Sequence, residues 1–326
     1  MNRSAVALLA ILAGLGSWYF FSHVPLGNMP QSGWKVPGAA VPDPSVTPAP
    51  PPGPGSTIRI ATFNLGVYGP TKMSRPVTME YLAKIIRTFD IVAVQEVRTR
   101  DDGAVPALVD QINRAGREYD YVISPRLGRT SQTEQFAFIF DRRTIEVDRH
   151  QLYTIYDPDD LLHREPFVGW FRARGPDPSA AFTFTLVNLH TDPDLVDREN
   201  ALLQQIMNEV RGDGRNEDDV ILLGDFNDSS QELDRYFLPH SGIVWALPHD
   251  TPTNTLGDQQ YDNLVFSRQF TDEFTGRAGT LDILRQFNLT MDQARAISDH
   301  FPVWAEFRVY EGSQPGRLAQ EPTLLR

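Results

Sequence analysis

The sequence contains no cysteine, which excludes disulfide partners, thiolate metal sites, cysteine nucleophiles and lipid anchoring through an N-terminal cysteine. Stability must therefore come from the core itself. Basic charge is also short: 30 Lys and Arg stand against 42 Asp and Glu, a net charge of −12. That balance excludes a nucleic-acid coat held by bulk attraction. It does not exclude a nuclease, because a bound metal and a few arginines supply positive charge locally. No internal repeat of solenoid period is present. Long apolar runs are missing too, with one exception at residues 5–21.

That run follows Arg3 and is 17 residues long, near the lower limit of roughly 17–25 for spanning a bilayer. No clear small-residue cleavage site follows, and Trp18, Tyr19 and Phe20 have the character of an interfacial aromatic belt. Residues 1–29 are therefore expected to be a signal peptide or, in preference, an uncleaved signal-anchor, with the rest of the chain exported and held at the membrane. Nine of the 25 prolines fall between Pro30 and Pro54, so residues 30–56 read as an extended linker. A folded domain is expected over 57–310 and a polar tail over 311–326.

Within the domain, hydrophobic patterning predicts strands at 58–63, 91–94, 135–140, 144–153, 167–174, 182–190, 220–223, 261–266 and 302–309. Helices are expected at 79–89 and 104–115, and at 192–210 with Asp192-Pro193 as its start. Runs of strands with helices between some of them point to an α+β sandwich of two sheets flanked by helices.

Chemistry-bearing side chains recur at the ends of these apolar strands. Asn64 ends the first, Glu96 the second and His190 the 182–190 strand. Asp225 and Asn227 follow 220–223, Asp262 opens another strand, and Asp299-His300 precedes the last. Each alone has a plain structural explanation as a turn residue or a solvated strand end. Together they offer hard oxygen ligands and two histidines around one cleft. His23, His150, His163, His240 and His249 have no matching partner and read as surface or linker residues.

The set Phe63-Asn64, Gln95-Glu96-Val97, Asn188-Leu189-His190, Gly224-Asp225-Phe226-Asn227, Tyr261-Asp262 and Ser298-Asp299-His300 resembles the endonuclease/exonuclease/phosphatase superfamily, in order and spacing across residues 58–307. The resemblance implies a four-layered α/β sandwich and phosphoester hydrolysis dependent on Mg²⁺, with Mn²⁺ or Ca²⁺ as alternatives. Two further stretches, Thr133-Glu134-Gln135-Phe136 and Arg164-Glu165-Pro166, resemble the DNase I-like branch. By that resemblance Glu134 pairs with His190 and Asp262 with His300. Glu96, Asn64 and Asp299 are expected to hold the metal, and Asp225 and Asn227 to position water and phosphate. Arg98, Arg129, Arg164 and Tyr261 are expected to contact substrate. Gly66 stands where abasic-site endonucleases generally carry a metal-binding Asp, a departure that points towards the DNase I-like branch. Gln132 replaces the tyrosine that this branch stacks against a sugar, so the groove-binding loop is altered.

Function is accordingly expected to be extracytoplasmic DNA hydrolysis by a monomeric catalytic domain. The alternatives are a phosphodiesterase for lipid or small-molecule head groups and a non-catalytic surface-binding module.

Overall fold

Alternation along the strands sorts the side chains into layers. Phe136, Phe138 and Phe140 point one way from their strand, and Phe182, Phe184 and Leu186, Ile221 and Leu223, and Leu264 and Phe266 point back at them from other strands. Such a period of two builds a core between two sheets. The computed structural model describes residues 57–129, 133–238 and 242–312. The expected anchor, the proline-rich linker, Gln132, His23, His240 and the tail beyond Gly312 lie outside the described residues. Among the described residues no helix is long and apolar enough to cross a membrane.

In chain order the elements are β1 (Thr57–Tyr68), α1 (Pro70–Met73), α2 (Pro76–Ile86), β2 (Ile91–Val97), α3 (Ala104–Asn113), β3 (Tyr119–Ile123), β4 (Gln135–Asp141), β5 (Ile145–Val147), β6 (Tyr153–Thr154), β7 (Phe167–Ala173), β8 (Thr183–His190), α4 (Val196–Asn200), α5 (Leu203–Arg211), β9 (Val220–Asp225), α6 (Ser230–Leu233), β10 (Ile243–Trp245), β11 (Asp262–Ser267), β12 (Phe274–Thr280), α7 (Ile283–Phe287), α8 (Met291–Ile297) and β13 (Val303–Arg308). One sheet runs β12-β13-β1-β2-β4-β3 and the other β10-β11-β9-β8-β7-β5, with β6 also on β7. Among the described residues only β1/β2 and β8/β9 pair in parallel. The expected four-layered sandwich is the observed one.

The outer face of the second sheet is covered by α5, whose Leu203, Ile206, Met207 and Val210 meet Val187, Leu189, Val220, Leu222 and Val265. On the first sheet's side, α2 packs on α3 and α8, and α3 on β3. Pro76 starts α2 at a position where no backbone donor is needed. Thr290 and Gln293 close a reciprocal capping box at the start of α8.

Two expected elements differ. The 144–153 strand is interrupted: His150 N–H donates to Asp148 Oδ1 and Gln151 N–H to the Asp148 carbonyl, a turn that leaves only β5 and β6 paired. The single 192–210 helix is two, α4 and α5. Asp192 does not cap it; its Oδ1 accepts from Asp194 N–H in a local turn. The break between α4 and α5 goes with inward-turned polar side chains, as Asn200 bonds to Thr191 Oγ1 and the Phe226 carbonyl. Strands β3, β10 and β12 were not legible from patterning, and all three are sheet edges.

Parallel pairing puts the C-terminal ends of β1 and β2 at one level, and those of β8 and β9 likewise. The antiparallel neighbours β13, β4 and β11 begin at that same level. Glu96, His190 and Asp225 at strand ends therefore share one rim with Glu134 and Asp262 at strand starts and His300 three residues before β13; Asn64, expected to end the first strand, lies inside β1, which runs on to Tyr68.

Phe171 anchors the inter-sheet core, with its ring centroid 5.1 Å from Phe138 and 5.8 Å from Phe184. Phe171→Ala should cost about 3–5 kcal/mol through lost burial and the cavity left behind. Denaturant unfolding should show a lower midpoint at an unchanged m-value; a loss below about 1 kcal/mol would contradict this packing account.

Candidate active site

Beneath the rim, buried amides join the two sheets. Gln95 Nε2 donates to Asn188 Oδ1 at 2.7 Å, and Asn188 Nδ2 reaches the carbonyls of Val94 and Ala137. Gly224 lets β9 approach β8: its φ is +152°, and a Cβ there would stand 1.9 Å from the Leu189 carbonyl oxygen. No other residue fits that position.

Above this floor sits Asp225. Its Oδ2 accepts from Asn64 Nδ2 at 3.0 Å and lies 3.7 Å from His190 Nε2 and 3.6 Å from His300 Nε2. Each imidazole is backed on its other nitrogen by a carboxylate. His190 Nδ1 is 2.9 Å from Glu134 Oε1, and His300 Nδ1 is 2.8 Å from Asp262 Oδ2. Such a partner fixes the tautomer and orientation of the ring. Thr253 Oγ1 holds Asp262 Oδ2 from another side, at 2.8 Å. Ser298 Oγ donates to the Asn64 carbonyl and accepts from His300 N–H, which ties the last loop to β1.

Burial disfavours the imidazolium of both histidines, but neighbouring acids outweigh it. Glu134 and Asp225 raise His190, and Asp262 and Asp225 raise His300 well above the ordinary value. Asp262 is itself pushed up to about 6, by burial first; His300 opposes the shift and Asp225 adds to it.

Glu96 reaches the rim through an irregular backbone. The β1/β2 and β2/β4 registers both shift at this level, and Glu96 adopts φ +62°, a bulge that re-aims the side chain. Its Oε2 accepts from Val67 N–H at 2.6 Å and its Oε1 from Asn64 Nδ2 at 3.3 Å. Asp299 approaches the same turn: a Cβ on Gly66 would fall 2.8 Å from its Oδ1. Glycine thus leaves open a space that any larger residue would fill. The donors at this turn are oxygens, a set that fits a hard divalent ion such as Mg²⁺. Asp225, Asp262 and His300 also offer atoms within 4.8 Å of one another, but the His300–Asp262 hydrogen bond accounts for that closeness.

The arginines divide by burial. Arg164 is buried, with Nε 3.1 Å from both Glu134 Oε1 and the His190 carbonyl, while one terminal nitrogen has no hydrogen-bond partner. Arg98 bridges Glu96 at 3.3 Å and Glu134 at 3.4 Å. Arg129 pairs with Asp160 at 3.2 Å, away from the histidines' partners. The Tyr261 ring lies 5.9 Å from that of His300. Asn227, at φ +49°, donates its amide to the Thr191 carbonyl and its N–H to Asp225 Oδ1. It supports the Asp225 loop from behind.

The model of the endonuclease/exonuclease/phosphatase family matches residues 61–300. The chain belongs to that family. Deoxyribonuclease-1-like 1 of Sus scrofa is 34% identical over 279 residues, covering 82% of this chain and 86% of its own. Deoxyribonuclease-1-like 2 of Homo sapiens is 34% identical over 276 residues, covering 76% and 91%. Deoxyribonuclease gamma of Homo sapiens is 30% identical over 267 residues, covering 77% and 86%. A solved endonuclease/exonuclease/phosphatase family protein from Bacteroides thetaiotaomicron shares the fold, with a TM-score of 0.55 over 79% of this chain and 99% of its own at 20% identity. The chain is thus a phosphodiester-hydrolysing enzyme of the DNase I-like branch of the endonuclease/exonuclease/phosphatase family.

Several residues that support this family's rim were missed from sequence. Lys72 is buried and donates to the carbonyls of Leu65, Gly66 and Ile297. Burial lowers its pKa to about 8, opposed by Asp299 and Glu96. Glu199 accepts from the N–H groups of His163 and Asp192. His163, read as a surface residue, is instead buried, with Nδ1 3.3 Å from Asp192 Oδ2. A lone polar residue in a loop or in a helix of one turn carries no periodicity that would mark it.

Burial by itself would raise the Glu134 carboxyl, but His190 first, then Arg164 and Arg98, hold it at about 2 against an ordinary 4.5. A depressed carboxyl contributes stability that is fully present above its unfolded value and is lost as pH falls through its folded one. Calorimetry from pH 5 downwards should therefore show the melting temperature falling between about 4.5 and about 2. Glu134→Gln should flatten that limb while melting lower at neutral pH. An unchanged acid limb in the variant would refute the assignment.

Proposed function

We propose that this protein is an extracytoplasmic, divalent-metal-dependent endonuclease that hydrolyses DNA. The observation that carries the reading is the pair of carboxylate-backed imidazoles whose Nε2 atoms both face Asp225 Oδ2, at 3.7 and 3.6 Å. Phosphodiester hydrolysis needs one group to take a proton from water and another to give one to the leaving oxygen. His190 and His300 are those groups, and Glu134 and Asp262 orient them. Asp225, held by Asn64 and Asn227, positions the water and the phosphate between the rings. The unpartnered nitrogen of Arg164 is placed to donate to a non-bridging phosphate oxygen.

Glu96, with Asn64 and Asp299, would hold the metal, which when bound supplies charge neutralisation at the phosphate. The names of the relatives at 30–34% identity support DNA as the substrate. Export is supported by the apolar run at 5–21 and the proline-rich stretch that follows it. With net charge −12, the chain has little long-range attraction for DNA, so binding must rely on local arginines and the metal.

Plasmid nicking by the full chain in mild detergent with Mg²⁺ or Mn²⁺ tests the proposal. His190→Ala and His300→Ala should each lower the rate on the order of 10²–10⁴-fold, and EDTA should abolish it. Nicking that persists in excess EDTA would overturn the metal-dependent mechanism. Hydrolysis of a generic phosphodiester without nicking would move the substrate to a lipid or small-molecule head group.

A further inference from the structure

A second group of acids lies at the opposite end of the sandwich. Asp219 immediately precedes β9, whose far end is Asp225; six residues at about 3.3 Å each put them roughly 20 Å apart. Glu273 immediately precedes β12 on the other sheet, and Glu311 follows β13. Each of the three offers a carboxylate oxygen within 4.8 Å of the other two.

Asp219 is fully buried and Glu273 is 1% exposed. Neither oxygen of Asp219, nor Oε2 of Glu273, meets a donor in good hydrogen-bond geometry among the described residues, although the Thr271 hydroxyl stands near Asp219 and favours its charged form. The neighbouring acids are committed elsewhere. Glu217 Oε2 accepts from the Trp170 indole at 2.8 Å, and its Oε1 from Asp219 N–H at 2.9 Å. Glu311 Oε2 accepts from Thr183 N–H, and Glu273 Oε1 from Gly312 N–H. The field of Arg211 reaches Asp219; its Nε donates to the Asp218 carbonyl and its guanidinium lies 4.0 Å over the Phe270 ring, while its Nη2 makes no hydrogen bond to Asp219 or to any other described residue. Burial first, then repulsion from Glu273, Glu217 and Glu311, drives the Asp219 carboxyl far above its ordinary range.

Buried carboxylates without partners are costly unless a cation or protons neutralise them. Oxygens on opposite sides of a Ca²⁺ ion, with bonds of about 2.3–2.6 Å, stand roughly 5 Å apart, and Ca²⁺ tolerates irregular geometry. We propose that Asp219, Glu273 and Glu311 form a divalent-cation site of the Ca²⁺ type, separate from the catalytic rim. The ion staples the start of β9 in one sheet to the start of β12 in the other and fastens the chain beyond β13 to both. Its role is structural.

The test is calorimetric titration of the metal-stripped full chain, in detergent, with CaCl₂, paired with thermal melts. Wild type should bind one Ca²⁺ more than Glu311→Gln or Glu273→Gln, and Ca²⁺ should raise its melting temperature. In both variants that rise should be smaller, while their melting temperature without Ca²⁺ should exceed that of stripped wild type because repulsion is relieved. Asp299→Asn should retain the extra ion, which separates this site from the rim. Glu311 is only half-buried, so its variant keeps the test alive if Glu273→Gln fails to fold. Equal stoichiometry and an equal melting rise in wild type and Glu311→Gln would overturn the proposal. A wild type whose melting ignores Ca²⁺ would do the same and leave the cluster neutralised by protons.

Discussion

The rim depends on one buried negative charge. Asp225 is 2% exposed, and an ionised carboxylate at that depth requires compensation. It comes from imidazoles on both sides and an amide of Asn64. Each imidazole then needs its own partner, which extends the arrangement to Glu134–His190–Asp225–His300–Asp262, acid alternating with base. Beyond the ends, Arg164 and Arg98 meet Glu134, and Thr253 meets Asp262. A charge removed anywhere leaves its neighbours unmatched, so these groups behave as a unit.

Holding such a row with its neighbours 2.8–3.7 Å apart requires rigid supports. The strand ends provide them, because every member lies on, or within three residues of, a strand of the two packed sheets. Gly224 sets the β8–β9 separation, and the Gln95–Asn188 contact locks one sheet against the other directly beneath. The left-handed backbone at Glu96 is a local irregularity that turns a strand side chain to the rim.

Electrostatics also sort the arginines. Arg164 is sealed in and fixed by Glu134 and a backbone carbonyl. Arg129 makes an exposed pair with Asp160, and Arg98 a half-buried one with Glu96 and Glu134. Exposed pairs are worth little, about 0–1 kcal/mol, so the Arg129–Asp160 pair holds Arg129 only weakly. Arg98 is held by two acids and yields less easily. On the proposed function, attraction for a polyanion would therefore be local, drawn from arginines now held in internal pairs.

Patterning showed the central strands because they are buried on both faces and rich in Phe, Val, Ile and Leu. It missed β3, β10 and β12, whose edge positions leave them short and half solvated; β12 is mostly exposed or half-buried along its length. It read 192–210 as one helix because periodicity continues through residues 201–202, whereas the inward pull of Glu199 and Asn200 is a tertiary effect. Asn64, Glu96, His190, Asp225, Asp262 and His300 were visible by their placement at strand ends, and Glu134 and Arg164 by resemblance alone. Lys72, Thr253, His163 and Glu199 were invisible because their bonds are made across turns and loops of the folded chain and leave no periodic signal. The sequence by itself determined which side chains exist at the strand ends, since a strand's hydrophobic period ends where its polar residue begins. Only the tertiary structure decided that parallel pairs and their antiparallel neighbours bring those ends to one level. Their distances to Asp225 therefore depend on the packing of two sheets and not on any local run of residues.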